Sequence, residues 1–78
     1  MKEVHPYTNT LGVAVRNRRK SLGMSQEALA ELADCGTLFV LQLERGKPTV
    51  RLDKLLSVLK VLNLELRIQD GAGGVVAD

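Results

Sequence analysis

Binding a polyanion, rather than making or breaking bonds, is the chemistry for which the side chains of this sequence are equipped. Arg16, Arg18, Arg19 and Lys20 form one cationic cluster, and Arg45, Lys47, Arg51 and Lys54 form another. Glu27, Glu31 and Asp34 fall between them. The formal net charge is only +2, so the distribution matters more than the sum. Two separated basic patches suit a phosphate backbone. Catalytic vocabulary is thin. His5 and Cys35 are the single histidine and the single cysteine, and nothing in the pattern brings them together. One cysteine excludes an internal disulfide and a cysteine-based zinc site. The glycine run Gly71–Gly74 lacks the following helix or lysine of a phosphate-binding loop. The expectation is a chain that is not an enzyme and carries no cofactor and no metal.

Short helices must position these groups. A chain of 78 residues allows one domain with a modest core. Hydrophobic residues make up 45%, which places it among globular chains. Tyr7 and Phe39 are its only aromatics, so the core falls to Leu, Val and Ala. Residues 1–8 read as an extended lead-in around Pro6, with Thr8 or Thr10 available as a cap. A first helix is expected over about 9–22, with Leu11, Ala14, Val15 and Leu22 inward and Gly23 as its stop. Ser25 is a natural N-cap for a second helix over about 26–33, with Glu27 in its first turn. Its inward residues are Ala28, Leu29, Leu32 and Ala33. Asp34–Cys35–Gly36 is the turn. A third helix over about 37–45 turns Val40 and Leu43 inward and ends at Gly46. A fourth, over about 52–62, carries Leu52, Leu55, Leu56, Leu59 and Leu62. No apolar run approaches the roughly 20 residues of a membrane span. The N-terminus has no signal-peptide pattern, so the expected location is cytoplasmic, with no membrane partner.

The period then changes. Leu64–Glu65–Leu66–Arg67–Ile68–Gln69 alternates apolar and polar residues, the pattern of a half-buried strand. One strand in a helical domain has unpaired N–H and C=O groups. Antiparallel pairing with a second copy about Leu66 satisfies them and sets Glu65 against Arg67, and Leu64 against Ile68. The expectation is therefore a homodimer joined through Leu64, Glu65, Leu66, Arg67 and Ile68. Residues 70–78 read as a flexible tail.

Two short helices about a tight turn, with a basic loop behind the second, form the layout whose second helix enters the DNA major groove. A capped second helix leaves backbone N–H groups for a phosphate, Gln26 can donate to the same phosphate, and a basic loop follows where the backbone would pass. On these residues, 11–63 resemble the XRE-type helix-turn-helix domain of lambdoid phage repressors. The segment Phe39–Val40–Leu41–Gln42–Leu43–Glu44–Arg45–Gly46–Lys47–Pro48–Thr49–Val50–Arg51–Leu52–Asp53–Lys54, with the strand after it, is similar to the narrower HipB/Y4mF-type group. The studied members of that group are antitoxins of type II toxin–antitoxin pairs.

The resemblance implies an all-α, four-helix, lambda-repressor-like domain over 9–63, with a dimerisation strand at 64–69. It implies that Arg19 pairs with Glu44, and that Ser25 and Gln26 bind phosphate. It places Thr37, Leu38, Phe39, Leu41 and Gln42 in the groove, and Arg45, Lys47 and Arg51 near the backbone and minor groove. Arg18, in the same basic cluster, joins the DNA-binding candidates. The residues support Arg19–Glu44 independently. Arg19 falls on the apolar stripe of the first helix, where a charge needs a partner, and Glu44 is the one acid of the third.

Leu38, Phe39 and Leu41 cannot hydrogen-bond a base edge. They can touch a thymine methyl or a protein, which leaves Thr37 and Gln42 as direct readers. The resemblance implies a dimeric autorepressor on a palindromic operator that also holds a HipA-like Ser/Thr kinase toxin. Two other readings stay open. One is a free-standing regulator of phage or restriction–modification controller type. The other is a protein–protein adaptor that keeps the fold.

Overall fold

The computed structural model describes residues 6–68 and 75–77. The chain runs α1 (Pro6–Ser21), α2 (Gln26–Leu32), α3 (Thr37–Glu44), α4 (Leu52–Val61), β1 (Leu66–Ile68) and β2 (Val75–Ala77). The helices therefore follow the sequence periodicity closely, in an all-α arrangement. The first begins earlier than expected, because Pro6 is pre-set for the opening position of a helix. The supposed lead-in thus becomes helix from residue 6; residues 1–5, His5 among them, lie outside the described residues. Thr8 and Thr10, the two cap candidates, consequently lie inside α1, and Thr8 has a different task. Its hydroxyl donates to the Gly46 carbonyl at 3.1 Å and ties the start of α1 to the end of α3.

All four helices end in the same way, which explains why their stops were readable. The residue after each C-cap has positive φ: Gly23, Asp34, Gly46 and Asn63. In each case the next N–H reaches back to a carbonyl of the last turn: Met24 to Arg19, Cys35 to Ala30, Lys47 to Gln42 and Leu64 to Leu59. This is the paired Schellman closure. It also divides the roles within the turn Asp34–Cys35–Gly36. The left-handed residue of the turn between α2 and α3 is Asp34, at φ 55°. Gly36 is instead the extended N-cap of α3, without a side chain to cap it.

The core joins Leu11 and Val15 of α1, Leu29 and Ala30 of α2 with its C-cap Ala33, Val40 and Leu43 of α3, and Leu55, Val58 and Leu59 of α4, closed by Leu62. Four leucines expected inside are exposed: Leu22, Leu32, Leu52 and Leu56. Leu22 is past the end of α1. The other three lie on apolar stripes wider than a core this small can cover. Ala30 and Val58 take inward places instead. One close approach holds α1 on α3. A Cβ on Gly12 would stand 2.4 Å from the Leu43 carbonyl oxygen and 2.9 Å from that of Glu44.

The strand finds a partner within its own chain. β1 pairs antiparallel with β2, with Leu66 opposite Ala77, Arg67 opposite Val76 and Ile68 opposite Val75. Residues 75–77 of the expected flexible tail are thus a strand lying against α1; residues 69–74, with the Gly71–Gly74 run, and residue 78 lie outside the described residues. The inference that β1 needs a second copy to satisfy its backbone is corrected accordingly, since one edge is filled locally. The Glu65–Arg67 ion pair also closes within one chain, at 3.2 Å. Leu64 and Leu66 pack on the core, whereas Ile68 is 83% exposed. Among the described residues, no helix is long and apolar enough to cross a membrane.

Candidate nucleic-acid interface

At about 100° per residue, Val40 and Leu43 fix the inward side of α3. The opposite direction falls between Leu38 and Arg45, with Leu41 and Gln42 on either flank. These residues form one stripe at i, i+3, i+4 and i+7. Leu38 is 63% exposed, Leu41 and Gln42 are half-buried, and Arg45 and Thr37 are exposed. Phe39 departs from the groove-facing set: it turns far enough round the helix to pack against the core. Its ring also lines a hollow with Gln42, Lys47, Val50 and Arg51.

A second hollow is lined by Leu41 and Arg45 together with Arg16, Lys20 and the Arg19–Glu44 pair. The outward ridge of α3 therefore stands between two depressions, each with cations on its wall. Arg16 and Lys20 were not among the singled-out site residues. Their signal was the i, i+4 spacing, which puts them on one face.

That spacing also separates them from Arg18. Its Nε donates to the Leu62 carbonyl at 2.9 Å, across to the C-cap of α4. A cation there satisfies a free helix-end carbonyl and meets the negative end of the helix dipole. Arg18 is thus committed to a strut between α1 and α4.

Arg19 is 8% exposed, and each of its three guanidinium nitrogens makes a hydrogen bond. Nε meets Glu44 Oε2 at 2.7 Å, Nη2 meets Oε1 at 2.9 Å, and Nη1 donates to the Met24 carbonyl at 2.7 Å. The Glu44 side chain is 4% exposed. Burial by itself lifts a carboxyl pKa, but the hydrogen bonds from Arg19 and Gln26 and the nearby Arg16 outweigh it and hold Glu44 below its ordinary value. The Glu44 hydrogen bond correspondingly raises Arg19. Sequence reasoning found this pair but gave Gln26 a different task. Gln26 Nε2 donates to Glu44 Oε1 at 3.1 Å, so its amide completes the ion pair rather than pointing away from the helix. Ser25 caps α2 by accepting from the Ala28 N–H at 3.0 Å, and remains exposed at the surface.

The remaining cations are held loosely. Lys47 Nζ donates to Gln42 Oε1 at 3.3 Å. Arg51 pairs with Asp53, Nε to Oδ1 at 2.9 Å and Nη2 to Oδ2 at 3.0 Å, with both side chains exposed. Such exposed pairs are worth about 0–1 kcal/mol and are readily exchanged for a phosphate. Lys54 is occupied at the turn, donating to the Asp34 carbonyl at 3.0 Å. Cys35 sits there as a small half-buried residue against the core, its thiol pKa pushed up by burial.

Comparison with known proteins finds a match to the family described as helix-turn-helix (HTH_3) over residues 15–69. A curated relative, the uncharacterized HTH-type transcriptional regulator y4mF of Sinorhizobium fredii, is 40% identical over 58 residues, 74% of this chain and 76% of that protein. Among solved structures, the restriction-modification controller protein C.AhdI from Aeromonas hydrophila superposes with a TM-score of 0.70 at 31% identity, covering 78% of this chain and 92% of its own. The clp gene regulator ClgR from C. glutamicum gives a TM-score of 0.69 at 28% identity, covering 81% of each chain.

Proposed function

The chain belongs to the helix-turn-helix family of transcriptional regulators, and from that footing we propose that it is a dimeric, sequence-specific DNA-binding repressor. The observation that carries this reading is the ridge of α3. Leu38, Leu41, Gln42 and Arg45 point away from the core, and cationic hollows flank them. A major groove accepts one helix and presents a phosphate backbone on each side of it. Arg16, Lys20 and Arg45 serve one backbone, and Lys47 and Arg51 the other. Ser25 at the start of α2, Thr37 at the start of α3 and Gln42 supply polar contacts. Phe39 buttresses the helix from the core side.

The dimer rests on the edge of β1 that β2 leaves open. Pairing two such edges about Leu66 gives a four-stranded antiparallel sheet and covers the exposed Ile68. Glu65 and Arg67 can then exchange their local pairing for one across the twofold. The operator is an inverted repeat with half-sites about one helical turn apart.

The experiment is in vitro selection from random duplexes, followed by titration of the winner and of a scrambled duplex at several salt concentrations. Enrichment of a palindrome, with log K falling by roughly 0.9 per contacted phosphate for each tenfold rise in salt, supports the reading. Equal affinity for selected and scrambled duplexes refutes it and favours an adaptor. Ile68→Lys, at a strand position exposed in the single chain, separates the dimer from the fold. A monomer in light scattering that binds only half-sites is expected, and an intact dimer refutes the strand interface.

The finer role we propose is that of an antitoxin holding a HipA-like Ser/Thr kinase. Its support is the similarity of residues 36–69 to the HipB/Y4mF-type group. The likeness to the restriction-modification controller favours a second reading, a free-standing regulator. Co-purification with a kinase encoded beside the gene separates the two.

A further inference from the structure

We propose that Leu38 reads the C5-methyl group of thymine, so that sequence preference is centred on a methyl contact rather than on a hydrogen bond. The inference rests on the DNA-binding reading and names what its central residue recognises. Of all positions on α3, Leu38 lies nearest the direction opposite the buried pair Val40 and Leu43. It is 63% exposed and offers no polar atom. An exposed leucine alone means little. This one is placed among charges: Arg16, Lys20 and Arg45 on one side of the ridge, Lys47 and Arg51 on the other. An apolar groove on a protein would not call for that ring of cations, whereas a duplex does.

Within the major groove, the thymine methyl is the apolar feature that base edges present. Gln42 lies one turn beyond Leu38 on the same stripe, and a glutamine amide reads adenine. A leucine on a methyl and a glutamine on an adenine, one turn apart, fit neighbouring A·T pairs. Leu41, half-buried on the opposite flank of Leu38 from Gln42 and on the wall of the second hollow, widens the apolar strip.

The probe is the duplex obtained by selection, remade with deoxyuridine in place of thymidine at one position at a time. Uracil keeps the pairing and both hydrogen-bonding edges and removes only the methyl. At one or two positions in each half-site, deoxyuridine is expected to weaken binding about fourfold, the factor for one methyl-sized group buried. In Leu38→Ala that sensitivity disappears. In Gln42→Ala overall affinity drops but the sensitivity remains. Position 38 is exposed and alanine favours helix, so Leu38→Ala should melt with the parent protein, and a matching melt shows that the loss is one of contact.

Deoxyuridine without effect at every position, a selected half-site that lacks thymine, or undiminished sensitivity in Leu38→Ala would each overturn methyl reading while leaving DNA binding intact. Failure to enrich any motif would overturn the DNA reading itself. Capture of a protein by the parent but not by Leu38→Ala, with no motif enriched, would assign the residue to a protein partner.

Discussion

Glu44→Ala should cost this protein a large part of its stability, for a reason that lies in Arg19 rather than in Glu44. The Arg19 guanidinium is nearly enclosed and makes its contacts at 2.7–2.9 Å, two of them to Glu44 and one to the Met24 carbonyl. Alanine removes both carboxylate contacts and leaves a buried cation on a single carbonyl. Breaking one half of a buried pair costs about 3–5 kcal/mol, well above the ~1 kcal/mol of an exposed pair. Gln26 also loses its acceptor, but it is only half-buried and can turn to water. The gain in helix propensity from glutamate to alanine is a few tenths of a kcal/mol and does not offset this. A domain of this length holds roughly 4–12 kcal/mol in all.

At about 4–8 °C per kcal/mol, the melting midpoint should fall by at least about 12 °C. Circular dichroism melts and urea titration at neutral pH measure it. The double variant Arg19→Met/Glu44→Leu should recover more than half the loss, because it removes the stranded charge and keeps the volume. A single variant within about 1 kcal/mol of the parent would refute the account. A double variant no better than the single would show that the loss comes from something other than the orphaned guanidinium.

Other consequences follow from the same geometry. The folded state holds Glu44 below its ordinary carboxylate pKa, so its contribution is complete above that ordinary value and is lost as pH falls through the depressed one; Glu44→Gln should flatten the acid side of the stability–pH curve, and an unchanged slope would contradict this. Gly12→Ala should destabilise by roughly 1–3 kcal/mol in urea titration despite better helix propensity, since the new Cβ meets backbone carbonyls of α3; equal or greater stability would mean that α1 and α3 do not approach so closely. Gly46→Ala should cost more than Gly23→Ala in parallel melts: both positions have positive φ, but only at Gly46 does the added Cβ crowd a neighbour, Asn9; the reverse order would remove that contact from the account.

What could be read in the sequence was local. Each helix stops because the next residue takes positive φ and lets two N–H groups fold back, and glycine at two of those sites signals it directly. Arg19 was readable because a charge on an apolar stripe must find its opposite, and α3 carries one acid. Features set by how helices lean on one another left no such mark. Gly12 looks like an ordinary helical glycine until α3 lies across it. Gln26 looks like a phosphate donor until Glu44 arrives beside it. Arg18 and Arg16 are near neighbours in the chain, yet one props α4 and the other lines the hollow beside α3. Val75–Ala77 follow a glycine run and suggest little, but they supply the local partner that β1 required.

The exposed leucines show where local reasoning stops and charge takes over. Leu22, Leu32, Leu38, Leu52 and Leu56 are all substantially open to solvent. Stripe periodicity placed four of them inside, and only the family resemblance set Leu38 on a groove-facing surface, so hydropathy alone does not separate the two kinds. In a domain this small, apolar stripes exceed the core that can receive them, and exposure is the ordinary result. Leu38 differs by its surroundings: it tops a ridge between two hollows that carry arginine and lysine on their walls. Leu32 instead lines a hollow shared with exposed Asp34 and Lys60, whose charges offset each other, whereas the one acid beside α3, Glu44, is buried and already paired with Arg19. A polyanion is drawn to the first environment and gains nothing from the second. It is the field around Leu38, more than its own hydrophobicity, that supports the proposal of a DNA contact there.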